Sequence, residues 1–99
     1  MEEVVTSGGV PHRLTFTWKR HGECALVITA QGRRVLLNPD ATMVWELLDD
    51  RRTVDEVVKR YSQAAGCDGE DAAARVTQTL ELFLQEGLIT FKSFLWKEG

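Results

Sequence analysis

The hydrophobic period of this chain changes once, at Asn38, and that change orders everything the chain can fold into. Between Arg13 and Leu37 the spacing is two-fold: Leu14, Phe16 and Trp18 alternate with Thr15, Thr17 and Lys19. Alternation with aromatic and β-branched residues is the pattern of a half-buried strand. Arg20-His21-Gly22-Glu23 reads as a four-residue turn and Cys24 to Thr29 as a second strand. Ala30-Gln31-Gly32 is a further short turn, and Arg33 to Leu37 a third strand. Three strands joined by short glycine-containing turns predict an antiparallel meander. The segment before it, with Ser7-Gly8-Gly9 and then Pro11, has no period and reads as a flexible arm over residues 1–12.

From Asn38 onward the spacing is helical. Asn38 can cap free N–H groups, and Pro39 suits the first helical position. Ala41, Val44, Trp45 and Leu48 then share one stripe, which ends near Asp49-Asp50. Thr53 and Glu56 form a capping box for a second helix, whose stripe is Val54, Val57, Val58, Tyr61 and Ala65 before Gly66. Asp68 caps a third helix with Ala72, Ala73, Val76, Leu80, Phe83 and Leu84 on its apolar face, stopped by Gly87. Leu88 to Phe91 reads as a short returning strand, followed by an apolar tail, Phe94-Leu95-Trp96. Strands followed by helices predict an α+β domain, and two short helices before a longer one beside antiparallel strands resemble a winged helix-turn-helix. Trp45, Val57, Tyr61, Val76, Leu80 and Phe83 are expected to share its core.

Composition narrows the function. With 99 residues the chain has room for one domain. Apolar residues make up 43% and charged residues 27%, which excludes a disordered or fibrous chain. The longest apolar run, Cys24 to Ile28, is far short of the about twenty residues a membrane span needs. The acidic start lacks the features of a secretory signal, so a cytoplasmic protein with no membrane partner is expected. Cys24 and Cys67 then read as free thiols, and His12 and His21 have no ligand cluster around them, so no metal or other cofactor is expected. No nucleophile elbow, zinc-protease or phosphate-loop motif occurs; Asp49-Asp50 and Glu70-Asp71 read as solvated and helix-start charges. A non-enzymatic protein is expected.

A winged-helix outline raises DNA binding as an alternative, in the form of a transcriptional regulator. The third helix argues against it. Asp68, Glu70, Asp71, Glu81 and Glu86 stand there against Arg75, and a polyanion would be repelled. The overall charge of −3 points the same way, so nucleic acid is not an expected partner. Peptide binding is more consistent. The outer side of the third strand is open unless the returning strand covers it, and an open edge is a template for an added strand. Val35 and Leu37 point to the helices and leave Leu36 opposite, or the register is reversed. Leu82 falls outside the third helix's core stripe, either as a lone surface leucine or as the wall of a groove. The apolar tail either folds back on the sheet or offers a docking surface to a partner or a second copy, so a homodimer is open too.

Several stretches taken in order resemble the PqqD-like proteins: Arg34-Val35-Leu36-Leu37-Asn38-Pro39-Asp40-Ala41, Trp45-Glu46-Leu47-Leu48-Asp49-Asp50, Arg52-Thr53-Val54-Asp55-Glu56-Val57, and Val76 through Phe83-Leu84 to Gly87-Leu88-Ile89. Many of those proteins carry a glycine in the turn after the first helix, where this chain has Asp50-Arg51. The resemblance implies a RiPP recognition element. Such a domain binds the leader of a ribosomally made precursor peptide and presents it to a modifying enzyme. In that family the leader adds an antiparallel strand to the third strand, against the third helix. Carried over by position, the site would use Arg33, Arg34, Val35, Leu36 and Leu37, and across the cleft Arg75, Val76, Thr79, Leu82 and Phe83. The Trp18-bearing first strand and Leu37-Asn38-Pro39 look most like the discrete recognition proteins of lasso-peptide biosynthesis. Their partner is a leader peptidase of cysteine-protease type; in the quinone-cofactor branch it is a radical SAM enzyme. The recognition domain would span residues 13–91 and the apolar tail residues 92–99.

Overall fold

A computed structural model describes residues 5, 8–15 and 17–91 of the chain. Its elements are β1 (His12–Arg13), β2 (Trp18–His21), β3 (Cys24–Ile28), β4 (Arg34–Leu37), α1 (Pro39–Leu47), α2 (Val54–Ala65), α3 (Gly69–Gln85) and β5 (Ile89–Thr90). Strands β2, β3 and β4 form the antiparallel meander in that spatial order, and β1 pairs with β5 as a separate two-stranded ribbon. The α+β, winged-helix-like class expected from the sequence is the one observed. The third strand of the sequence reading is β4.

The β2–β3 turn is tighter than its sequence suggests. His21 already pairs with Cys24, so only Gly22 and Glu23 remain between the strands. Gly22 sits at φ +63°, which a two-residue hairpin turn of this kind demands at its first position. The strand before it is also shifted. Thr15 is buried and Leu14 is 36% exposed, opposite to the expected alternation, while Phe16 lies outside the described residues. The cause is a long-range bond: the Thr15 hydroxyl donates to the Ile28 carbonyl at 2.6 Å and accepts from the Thr17 N–H at 3.2 Å. Regular pairing therefore begins at Trp18, and the inner alternation runs through Trp18 and its partner Val27.

The helices start where the sequence places their caps. Asn38 accepts from the Ala41 N–H, and Asp68 from the Asp71 N–H, each at 2.8 Å. Thr53 and Glu56 complete a reciprocal capping box. α3 ends in a Schellman arrangement: Leu88 N–H donates to the Phe83 carbonyl at 2.9 Å and Gly87 N–H to Leu84 at 3.2 Å. Gly87, at φ +75°, turns the chain into β5 at no steric cost.

All six residues expected to share the core are fully buried. They lie between the helices and the inner sheet face, where Ala25, Val27 and Leu37 are also buried. Trp45 is central. Phe83 meets it edge-on at 5.6 Å and Trp18 at 6.3 Å, while the Arg13 guanidinium lies 4.7 Å from its ring and 5.5 Å from that of Trp18. Removing such a ring costs about 3–5 kcal/mol, a large share of the roughly 5–15 kcal/mol that holds a domain folded. Arg13 also donates to the Trp45 carbonyl. Burial pulls its pKa down, against the upward pull of Asp50, Asp49 and Glu46.

Residues 9–12, which the sequence assigns to an arm, are tied into this fold. Val54 N–H donates to the Gly9 carbonyl at 2.9 Å, Pro11 is buried, and His12 pairs with Thr90 across β1 and β5. The anchor after α1 is Asp50. It is a non-glycine residue at φ +64°, the backbone conformation that a glycine would adopt freely in that turn. Its carboxylate accepts from the Arg13 N–H at 3.1 Å and stands 3.9 Å from His12 Nδ1, contacts that a glycine lacks. The apolar tail, residues 92–99, lies outside the described residues.

Candidate functional site

The two sides of β4 differ. On one side it pairs with β3; on the other, no strand among the described residues joins it. The direction of its backbone groups follows from one hydrogen bond. Thr29 N–H donates to the Arg33 carbonyl at 2.8 Å, so the Thr29–Arg33 pair is a bonded pair of the ladder. Antiparallel ladders alternate bonded and non-bonded pairs. Val35 opposite Val27 and Leu37 opposite Ala25 therefore turn their N–H and C=O towards β3. Arg34 and Leu36 turn theirs to the open edge. Their side chains also point away from the helices: Leu36 is 70% exposed, beside Leu26 on the outer sheet face. Of the two registers the sequence allowed, the one with Val35 and Leu37 inward is the one adopted.

The end of α3 reaches the start of β4, where Glu86 meets Arg33. Arg75, Gln78, Thr79 and Leu82 follow at spacings of three, one and three, which places them on a single helical face. With Asn38, Asp40 and Ala41 from the start of α1 they line a shallow groove of about 270 Å³. Leu82, 45% exposed, is its apolar wall. Ion pairs brace it at two places. Arg33 donates to the Glu86 carboxylate at 2.7 Å and to the Glu86 carbonyl at 2.9 Å, tying the start of β4 to the end of α3. Arg75 stands 3.9 Å from Asp40, whose other oxygen accepts from the Tyr61 hydroxyl at 2.7 Å. Burial raises the Tyr61 pKa; the bond to Asp40 adds to that and Arg75 opposes it.

The ten residues carried over from the family resemblance separate into three groups. Arg34, Leu36, Arg75 and Leu82 are exposed around the edge and groove, and Val35 and Thr79 are half-buried there. Leu37, Val76 and Phe83 are buried in the core and do not line the groove. Arg33 is exposed, but its guanidinium is engaged by Glu86. Asn38, Asp40, Ala41 and Gln78 also line the groove and are not among those ten. Gln78 was legible in principle, one turn from both Arg75 and Leu82. The other three are brought in by the bend from β4 into α1, which no periodicity encodes.

The β4 edge offers strand backbone that no strand among the described residues pairs, and the groove offers an apolar wall in Leu82, the polar groups of Asn38, Gln78 and Thr79, and the Asp40–Arg75 ion pair, which together are the chemistry of holding an extended peptide. Among the described residues no group of three or more His, Cys, Asp or Glu is placed to hold a metal, and no helix is long and apolar enough to cross a membrane. A family model described as coenzyme PQQ synthesis protein D (PqqD) matches residues 23–89. Among solved structures, the fold is similar to TbiB1, determined in complex with the TbiA(beta) leader peptide. The TM-score is 0.66 at 12% identity, covering 92% of this chain and 99% of that one. No curated protein matches the sequence.

Proposed function

The chain belongs to the PqqD family, and from that premise we propose that it is a RiPP recognition element that binds the leader of a ribosomally made precursor peptide. The observation that carries this reading is the open β4 edge. Arg34 and Leu36 hold two donors and two acceptors outward beside a groove walled by Leu82. A leader strand laid antiparallel to β4 satisfies these groups, and its alternate side chains face the groove. The structural likeness to TbiB1, itself determined in complex with a leader peptide, supports a leader as the ligand.

The domain performs no chemistry on the peptide; it raises the effective concentration of the core next to the modifying enzyme. The resemblance around Trp18 and Leu37-Asn38-Pro39 favours a lasso-peptide precursor, delivered in the cytoplasm to a leader peptidase of cysteine-protease type. The binding residues on this reading are Arg34, Val35 and Leu36 on the strand, and Arg75, Thr79 and Leu82 on the helix. Arg33, Leu37, Val76 and Phe83 support them.

Fluorescence anisotropy tests the proposal. The labelled leader of a short precursor encoded beside this gene binds saturably at about 150 mM salt, where weak phosphate contacts are screened, and labelled duplex DNA does not. Sequence-selective DNA binding without leader binding would instead establish a winged-helix regulator.

A further inference from the structure

Strand addition at β4 has a register, and the register makes demands on the ligand's sequence. This inference rests on the leader-binding reading above and asks what such a leader must contain. Arg34 and Leu36 point their backbone groups outward, so each forms a bonded pair with one residue of an added antiparallel strand. Paired residues project to the same face of a sheet. Leu36 and Arg34 project to the outer face, away from the helices, so their two partners do as well. Because the strands run in opposite senses, the partner of Leu36 precedes the partner of Arg34 by two positions. The residue between them faces the helices.

Each partner meets a different chemistry. Leu36 is 70% exposed and continues a row that begins with Lys19 and Leu26. A residue laid beside it extends an apolar strip at the sheet edge. Arg34 is exposed, pairs across the ladder with uncharged Ile28, and makes no ion pair among the described residues. Its neighbour Arg33, by contrast, is engaged by Glu86. Arg34 is thus a cation on the open edge awaiting a partner from the added strand.

We propose that this protein selects leaders carrying an apolar residue followed, two positions later, by an acidic one, read by Leu36 and Arg34 respectively. Selectivity at the second position is electrostatic and modest. An opposite-charge cross-strand pair raises affinity about 1.5- to 5-fold, and a like-charge pair lowers it by a similar factor.

The test is an unbiased selection of random peptides displayed on phage, against the full chain and two variants. Wild-type protein is expected to enrich an apolar residue with Asp or Glu two places on. Arg34→Glu should move the second preference to Lys or Arg. Synthetic copies of recovered peptides, with the acid replaced by Lys, should lose about 2- to 25-fold on wild type, since a favourable pair becomes a repulsive one, and gain on Arg34→Glu, with both effects shrinking as salt is raised. Leu36→Pro, which blocks the edge itself, should abolish recovery of the whole class. Peptides that depend on the edge but carry no such charge preference, or keep it unchanged on Arg34→Glu, would overturn the selection rule and leave strand addition standing. Peptides insensitive to Leu36→Pro would overturn both.

Discussion

Proline at two adjacent positions of β4 should have opposite consequences, because adjacent N–H groups point in opposite directions. Leu36→Pro removes a donor that faces the open edge, where proline is tolerated in natural sheets. Its side chain is 70% exposed, so little packing is lost, and a change in stability below about 1 kcal/mol keeps the melting temperature within roughly 4–8 °C of wild type. An added strand, however, loses one hydrogen bond and has a carbonyl stranded against the proline ring. The bond is worth about 0.5–1.5 kcal/mol and the stranded acceptor about 1–3 kcal/mol. A combined loss of about 2–4 kcal/mol lowers leader affinity roughly 30- to 900-fold. Leu36→Ala, which keeps the N–H, provides the side-chain control. Val35→Pro instead deletes a donor in the β3–β4 ladder and strands a carbonyl of Val27, so the same arithmetic falls on the fold. That variant should melt roughly 10 °C or more below wild type. Isothermal titration with the labelled leader, together with thermal melts followed by circular dichroism, reads both. Unchanged leader affinity in a folded Leu36→Pro protein would refute strand addition at this edge. A melting loss as large as that of Val35→Pro would refute the assignment of backbone directions.

Three further outcomes are expected. Leu82→Glu places a carboxylate on the groove wall without entering the core, so circular dichroism should be unchanged; burying that charge against a bound leader costs about 1–3 kcal/mol, or roughly 5- to 150-fold in the dissociation constant. Asp50→Ala keeps the left-handed backbone but loses the acceptor for Arg13, lowering stability in urea titrations by about 1–2 kcal/mol, whereas Asp50→Gly relieves the backbone strain and should lose less. Tyr61 is the sole tyrosine, so phenolate absorbance titrates it alone, with a midpoint above 10.0 because burial and Asp40 hold the proton on. A folded pKa above the unfolded one means that this group's stabilisation is complete below pH about 10 and is lost as pH rises through the folded value; Asp40→Asn should bring the midpoint down.

The helices were legible because their signals are local. Asn38-Pro39, Thr53 with Glu56, and Asp68 each act within four residues, and the stripes that follow are simple 3.6-residue patterns. The first strand was misplaced because Thr15 answers to Ile28, thirteen residues away, and that bond turns a threonine inward where alternation expects a leucine. A two-residue pairing such as His12–Arg13 with Ile89–Thr90 has no period to detect at all. On the candidate site, Leu82 stood out as an apolar residue off the core stripe. By contrast, the commitment of Arg33 to Glu86 depends on how the end of α3 meets the start of β4, and no spacing in the sequence encodes it.

The β1–β5 ribbon has a consequence for how this domain can be used in larger architectures. By pairing His12 with Thr90 and Arg13 with Ile89, it brings the first and last strands of the fold side by side. A unit whose ends leave together can be spliced into a loop of another protein, or appended at either end, without pulling its host apart. The β4 edge belongs to the other sheet, and neither strand of the ribbon pairs with it. Such a module is portable: grafted onto an enzyme through a short linker, it would carry its peptide-capturing edge along as a cassette.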